Sequence, residues 1–187
     1  MTESAMSLLP VAAEEFGKRV HAVPADAWDN PTPASEWTVR DLVNHLVGEH
    51  LWAPELLRGA TIDEVGDRFE GDVLGDDPLR AWDEAIYRSL TAWAATRPDQ
   101  TVHLSFGDVP ASEYAEQMLL DLTTHGWDLA RGAGLDERMD PATVRHVLAY
   151  AEQNAGGLAG SGLFADAVDV ESEDPQDRML GLLGRRP

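Results

Sequence analysis

The chain has 187 residues and no cysteine, and its 34 acidic against 14 basic residues give a formal net charge of −20. Such an excess of carboxylates repels a phosphate backbone, which argues against nucleic-acid binding. The lack of cysteine excludes disulfides, thiolate metal sites and a cysteine nucleophile, so any metal must be held by imidazole and carboxylate groups. The length suits a single globular domain with a sizeable core.

Targeting and membrane signals are absent from the sequence pattern. The first residues contain no basic segment followed by a long apolar stretch, and no part of the chain reaches about 18 consecutive apolar residues. We therefore expect neither secretion nor a membrane span, and we predict a cytoplasmic protein.

The first predicted helix extends from about Ser4 to Trp28. Its apolar residues recur at steps of three and four, which is the spacing of an amphipathic helix: Leu8, Leu9, Ala12, Phe16, Val20 and Val23. The segment that follows contains Pro31 and Pro33, which cannot sustain a helix. We predict a connecting loop there.

A second helix is predicted to begin after Thr38, because Thr38 and Asp41 have the spacing of an N-terminal cap. An apolar face follows: Val39, Leu42, Val43, Leu46 and Val47. The helix should run toward Gly59. Pro54 is expected to bend or break it near His50, because proline lacks a backbone donor.

The middle of the chain combines loop, helix and strand signals. The acidic, glycine-containing segment from Thr61 to Asp76 predicts a loop. Asp77 and Pro78 are a cap and first-turn pair that opens a third helix, which continues as far as Pro98. Polar and apolar residues then alternate from Thr101 to Phe106, which predicts a short strand or hairpin.

The fourth predicted helix begins near Ser112 and ends at Gly132 or Gly134. Its apolar residues again recur at helical spacing: Tyr114, Met118, Leu119, Leu122 and Leu129. The helix carries Asp121 and His125, which are four residues apart. Their side chains therefore project from one face and can reach the same ion.

Two further helices are predicted near the C-terminus. One begins at Asp140-Pro141 and is ended by Gly156-Gly157, and a short one begins at about Pro175. We divide the chain into a metal-binding helical bundle over residues 1–135 and a C-terminal helical extension over residues 136–187, packed on the same domain.

A metal site is the strongest functional candidate in this sequence. His45 lies in the second helix beside Leu42 and Leu46, where its imidazole would face the bundle interior. It could join Asp121 and His125 as a third ligand, leaving positions open for water or substrate as in catalytic sites. Zinc is the metal we expect first, while nickel, iron and manganese also accept these ligands.

The alternative is that these residues have ordinary structural roles. Histidines in helices are more often packing or surface residues than ligands, and Asp121 could be a solvated helix residue. The apolar sequence around Asp121 and His125 argues against this, because a buried unpaired carboxylate is costly and needs a partner.

Three other residues could support the site, each with a simpler alternative. Asp128 could accept a hydrogen bond from a ligand histidine, or lie on the helix surface. Glu49 could be an extra ligand or a general base, or a solvated acidic residue. Arg40 could bind a carboxylate of a substrate or thiol, or form a salt bridge at the start of the second helix. No catalytic residue is assigned from the sequence.

Three segments resemble a known family. They are TPASEWTVRDLVNHLVGEHLW, LLDLTTHGWDLARG and the closing RMLGLLGRRP. They are similar to the actinobacterial metal-binding proteins related to the N-terminal domain of mycothiol-dependent maleylpyruvate isomerase, within the DinB/YfiT-like superfamily. The resemblance implies a mainly α four-helix bundle with up-down-down-up connectivity, to which we add the short hairpin and the small helical C-terminal extension.

The resemblance also implies a metal site and a chemistry. The family's ligand positions fall on His45, Asp121 and His125, although the isomerase itself has glutamate at the position of Asp121 and carries a further C-terminal domain. The implied cosubstrate is mycothiol, so we expect a thiol-dependent transferase or isomerase acting on a small electrophile. A non-catalytic metal-binding or dimerising module and a metal-dependent hydrolase are the alternatives, and a homodimer is a further expectation.

Overall fold

The computed structural model describes residues 3–34, 36–158 and 166–187, and these form seven helices and one hairpin. The elements are α1 Ala5–Ala22, α2 Val39–Leu57, α3 Ile62–Val65, α4 Pro78–Ala94, β1 Thr101–Leu104, β2 Gly107–Pro110, α5 Ala111–Ala133, α6 Pro141–Leu158 and α7 Pro175–Leu182. The predicted mainly α fold with a short hairpin is confirmed.

Helices α1, α2, α4 and α5 make the bundle, in which α1 packs mainly on α5 and α2 mainly on α4. The long connection between α2 and α4 is the crossover that the up-down-down-up order requires. Large apolar side chains from all four helices fill the centre: Leu9, Phe16, Leu42, Leu46, Trp82, Leu119, Leu122 and Leu129. Their burial holds α2 and α5 side by side, which is what positions the site described below.

Several helix ends follow from the predicted local chemistry. Thr38 and Asp41 form a reciprocal capping box at the start of α2, as their spacing predicts. Asp77 accepts a hydrogen bond from the backbone of Arg80 at the start of α4. Helix α5 ends at Gly134, whose φ of +68° lies in the left-handed region that favours glycine.

The predicted end of α1 was wrong, and of the bend or break predicted at Pro54 the break does not occur. Helix α1 ends at Ala22 rather than Trp28, because Val23 before Pro24 is driven into an extended conformation. Pro54 does not break α2, which continues to Leu57. The proline is buried, so packing in the core offsets the missing backbone hydrogen bond.

Three further boundaries differ from the prediction. The segment predicted as a loop contains α3, a single turn whose Thr61 and Glu64 form another capping box. Helix α5 begins at Ala111 after Pro110, because no side-chain cap from Ser112 is used. Helix α6 extends to Leu158, so the glycine pair Gly156-Gly157 does not end it. Tertiary packing moves these ends by a few residues.

The C-terminal helices pack on the same core as the bundle. Val147 and Leu148 of α6 and Leu180 of α7 belong to the common apolar cluster, and α6 packs on both α5 and α7. Gln176 accepts a hydrogen bond from the backbone N–H of Met139 across this junction. The division at residue 135 stays a prediction. In the part of the chain that the structure describes, no helix has the length and apolarity needed to cross a membrane.

Candidate metal centre

The three predicted ligands meet at the contact between α2 and α5. His45 Nε2 lies 2.9 Å from Asp121 Oδ2, and His125 Nε2 lies 3.3 Å from Asp121 Oδ1. One ligand atom from each residue falls within 4.8 Å of the other two. The sequence produces this arrangement because Asp121 and His125 are one turn apart on α5, while His45 projects from the facing side of α2.

His125 is held from behind by a buried carboxylate. Its Nδ1 lies 3.0 Å from Asp128 Oδ2, and the Asp128 side chain is fully buried. Arg185 donates two hydrogen bonds to Asp128, from Nε at 3.1 Å and from Nη2 at 2.7 Å. The carboxylate fixes the orientation of the ring and leaves Nε2 directed at Asp121, which is how ligand histidines are positioned in metal sites.

An aromatic side chain closes one side of this cluster. The ring of Trp37 lies 4.8 Å from that of His45 and 5.5 Å from that of His125, between centroids. The two imidazoles are 5.3 Å apart and nearly perpendicular, at 80°. Trp37 precedes the cap of α2, so the capping box that begins α2 also places this indole against both histidines.

Asp121 and the two histidines each stabilise the charged form of the other. Burial alone would raise the pKa of Asp121, but the adjacent His125 and His45 hold it well below its ordinary value. Burial alone would lower the pKa of His125, but the charge and hydrogen bond of Asp121, with those of Asp128, raise it to about 9. The pKa of His45 is raised because Asp121 and Glu49 outweigh its own burial.

A cavity of about 510 Å³ opens beside His45. Glu49, one turn after His45 on α2, contributes to its wall and is half-buried. Burial and the negative charge of Asp121 raise the pKa of Glu49 above its ordinary value. Glu49 is therefore not the freely solvated residue of the simpler interpretation.

The third supporting candidate, Arg40, lies elsewhere. Its guanidinium bonds the carboxylate of Asp72 at 3.0 Å and the carbonyl of Gly75 at 2.8 Å. This is the salt bridge at the start of α2 that the sequence left open as an alternative. Arg40 is not among the residues that line the cavity.

The other histidines are outside the cluster. His21 pairs with Asp83, His103 with Asp108 and His146 with Glu116. His50 is fully buried in α2 and its Nδ1 bonds the hydroxyl of Ser89 at 2.8 Å. Within the described residues, a group of three possible ligands forms only at His45, Asp121 and His125.

Sequence reasoning does not identify two residues that support the site. Trp37 has the character of a packing residue, and Arg185 stands out only as part of the closing motif. Both lie in segments that carry the family resemblance, which is the available signal for them. Arg185 is far from Asp128 in sequence, so no local spacing could have paired them.

The donor set fits a divalent metal ion. Two imidazole nitrogens and a carboxylate suit zinc, nickel, iron or manganese, and one of the imidazoles already has the outer carboxylate contact that metal sites use. The three groups project from two helices only, α2 and α5, and one of them, His45, also lines the cavity. Such a site could hold an ion and leave positions open to small molecules.

The comparison with protein families agrees with this geometry. Residues 9–130 match the model of the mycothiol maleylpyruvate isomerase N-terminal domain. The chain belongs to this family. The match begins inside α1 and ends inside α5, and it includes all three candidate ligands.

Individual relatives extend the likeness beyond the matched domain. The uncharacterized protein Rv0738 of Mycobacterium tuberculosis is 32% identical over an alignment of 181 residues that covers 93% of this chain and 93% of that protein. The uncharacterized protein Rv0036c of the same organism is 28% identical over 156 residues, covering 73% of this chain and 58% of that protein.

A solved structure shares the fold. The crystal structure of the mycothiol-dependent maleylpyruvate isomerase superposes with a TM-score of 0.63 at 17% sequence identity, covering 84% of this chain and 72% of that one. A mutant of that enzyme gives a TM-score of 0.64. This likeness confirms the fold, a DinB-like helical bundle.

Proposed function

We propose that this protein is a divalent-metal-dependent enzyme that uses a low-molecular-weight thiol, of the mycothiol type, to transfer or isomerise a small electrophile. His45, Asp121 and His125 would hold the metal, with zinc as the first candidate. The proposal rests on the family membership together with the ligand cluster and the adjoining cavity.

The observation that carries the proposal is the orientation of His125. His125 has a carboxylate at each ring nitrogen, Asp128 at Nδ1 and Asp121 near Nε2. The carboxylate of Asp128 is buried and is itself held by Arg185. A metal-binding histidine must present one ring nitrogen in a fixed direction. In His125 the contact of Nδ1 with Asp128 fixes the ring, so that Nε2 points toward Asp121.

In the proposed reaction the metal activates the thiol and a side chain of the protein accepts the thiol proton. When bound here, a divalent ion would lower the pKa of a coordinated thiol and so make it nucleophilic at neutral pH. Because the chain has no cysteine, the thiol must come from outside. Glu49, whose pKa is raised, would accept and hold the thiol proton beside the cavity.

Transfer and isomerisation differ only in the fate of one bond. In transfer to an electrophile with an activated double bond, the thiol sulfur bonds the electrophilic carbon as the π bond opens, the neighbouring carbon takes the proton held by Glu49, and the saturated adduct is released. In isomerisation, the same bond breaks again after rotation in the substrate, and the thiol is regenerated. Both need the cavity, which at about 510 Å³ has room for a small molecule beside His45.

Reconstitution with Co²⁺ tests this proposal, because the absorption spectrum of protein-bound Co²⁺ changes when sulfur coordinates the ion. Protein stripped of metal is reloaded with Co²⁺ and titrated with mycothiol or another small thiol. We expect a new charge-transfer band between the thiol sulfur and Co²⁺ when the thiol is added. The His125→Ala variant should not show this band. A Co²⁺ spectrum that does not change with thiols, in a protein that catalyses hydrolysis, would favour the hydrolase. A Co²⁺ site that neither binds thiols nor supports hydrolysis would favour a non-catalytic module.

A further inference from the structure

The wall of the cavity beside His45 has an unusual composition. It contains three carboxylates and three aromatic side chains: Glu36, Asp41, Glu49, Trp37, Trp52 and Phe69. Asn44, His45 and two glycines, Gly48 and Gly71, complete it. Among these lining residues none is lysine or arginine.

The arginines of the neighbouring segments are already engaged with other partners. Arg40 bonds Asp72, as described above, and Arg68 lies 3.4 Å from a carboxylate oxygen of Glu55. Apart from His45, whose pKa is raised in the metal-free protein but which would be neutral as a metal ligand, the cavity wall has no cationic side chain to receive an anionic group.

The acidic side chains of the cavity differ in whether they have a hydrogen-bond partner within the protein. The carboxylate of Asp41 is used by Thr38 in the capping box, at 2.6 Å from the hydroxyl. For Glu49 the described residues supply neither a hydrogen bond nor an ion pair, although it is half-buried. A half-buried carboxylate without a partner is costly to leave charged and is relieved by a cationic or hydrogen-bond-donating ligand.

Metal loading would not reverse this balance. A divalent ion held by two neutral imidazoles and the carboxylate of Asp121 leaves one net positive charge, which the carboxylates of Glu36 and Asp41 outnumber even when Glu49 holds the thiol proton. The aromatic rings add faces that attract cations and repel anions. An anionic group entering the cavity meets repulsion that a cationic or uncharged molecule does not.

We propose that the cavity selects cationic or uncharged small molecules and excludes dicarboxylates. This deepens the proposed function and rests on it, because it specifies the charge class of the electrophile. Maleylpyruvate, after which the structural relative is named, carries two carboxylates, so this chain would act on a different class of molecule. The residues that set the preference are Glu36 and Glu49, whose carboxylates are not needed for a helix cap.

Tryptophan quenching measures this preference without requiring turnover, since Trp37 and Trp52 line the cavity. The protein as purified is titrated with iodide, acrylamide and 1-methylpyridinium, which are anionic, neutral and cationic quenchers. The double variant Glu36→Gln/Glu49→Gln is compared with Glu171→Gln/Glu173→Gln, which removes two exposed carboxylates elsewhere and so matches the change in net charge. Comparing variants cancels the constant contribution of the other tryptophans.

We expect the cavity double variant to raise the iodide quenching constant about twofold at low salt and to lower that of 1-methylpyridinium, with acrylamide unchanged. The distant double variant should give neither shift. Equal shifts in the two double variants, or no shift in either, would overturn the proposal.

A matched pair of electrophiles separates this proposal from the proposed function. Two N-alkyl maleimides that differ only in a terminal ammonium or carboxylate are compared in the thiol-dependent reaction, after subtraction of the uncatalysed rate. Faster turnover of the ammonium compound is expected, with the preference reduced in Glu36→Gln alone, because Glu49 is the proposed proton acceptor and its replacement would itself stop turnover. Faster turnover of the carboxylate compound would contradict the charge preference alone. Absence of turnover with both would contradict the proposed function, while the quenching result would still decide the preference.

Discussion

Two buried histidines in this protein have opposite protonation behaviour. His125 is 6% exposed and His50 is fully buried, and both lie inside helices among apolar residues. Burial lowers the pKa of each imidazole, and for His50 it brings the value to about 4. For His125 the neighbouring carboxylates reverse the effect and raise the value to about 9.

The difference between the two histidines lies in their partners. His50 has the neutral hydroxyl of Ser89, whereas His125 has Asp121 and Asp128. A hydroxyl satisfies one ring nitrogen and leaves the imidazole neutral, which is sufficient for packing. Two carboxylates create a place that favours positive charge, and a divalent cation can take that place instead of a proton.

The largest expected effect is the loss of metal affinity when one of the candidate ligands Asp121 and His125 is replaced. We expect Asp121→Asn and His125→Ala to lower metal affinity by more than about a hundredfold, because an open site with two ligands is too weak. The measurement is competition with a chromophoric chelator. His146→Gln, which alters another histidine–carboxylate pair, should keep its affinity, and parallel losses in that variant would contradict the assignment.

Asp128→Asn should weaken metal binding by about 10- to 100-fold, because it changes the group that orients His125. It should also lower the free energy of unfolding by about 3–5 kcal/mol, since the buried guanidinium of Arg185 would face a neutral amide in place of the carboxylate. Chelator competition and chemical denaturation check the two effects.

A double variant separates these two roles of Asp128. Replacing both partners in Asp128→Leu/Arg185→Leu removes the buried pair, so much of the stability should return while metal affinity stays low. If affinity returned along with stability, Asp128 would act only through folding and not through His125.

The two histidines should give stability changes in opposite directions with pH. In metal-free protein the folded pKa of His125 is raised from 6.5 to about 9, so its contribution is complete below about pH 6.5 and is lost as pH rises through 9. The difference in unfolding free energy between wild type and His125→Gln should shrink across that window by an amount on the order of 3 kcal/mol.

For His50 the pKa is lowered from 6.5 to about 4, so its contribution is present above about pH 6.5 and is lost as pH falls through 4. Denaturation curves of wild type and His50→Gln across pH 4 to 9 measure both windows. The same direction of change for both histidines would contradict the role given to the carboxylates.

The smallest expected effect is that of Ser89→Ala. It leaves Nδ1 of His50 without a partner in the core, which should cost about 1–3 kcal/mol of unfolding free energy. Metal affinity should be unchanged. Thermal denaturation with and without zinc checks both statements, and a loss of zinc-induced stabilisation would show that the two histidine regions are coupled.

The helical spacing of the sequence is sufficient to predict the bundle. Apolar residues at steps of three and four locate α1, α2, α4 and α5, and the Thr38–Asp41 pair locates the start of α2. The errors concern the ends of helices and the single-turn helix α3, which was predicted as loop. Whether Pro54 breaks α2 depends on burial of the proline ring, which local sequence does not encode.

The clustering of the three candidate ligands is predictable from the sequence, whereas the surroundings of the cluster are not. The four-residue step between Asp121 and His125 follows from helix geometry, and the resemblance supports His45 as the third ligand. The contact of Asp128 with Arg185, across 57 positions of the chain, depends on how the C-terminal segment returns to α5. The acidic cavity likewise combines α2 with a distant loop residue, Phe69.

The central claim is that one divalent ion binds between α2 and α5. The most direct measurement is an anomalous difference map from crystals of the zinc-loaded protein, collected at the zinc edge. We predict one strong peak bonded to Nε2 of His45, Nε2 of His125 and the carboxylate of Asp121. A peak elsewhere, such as at Glu116 and His146, or no peak at this position, would contradict the account.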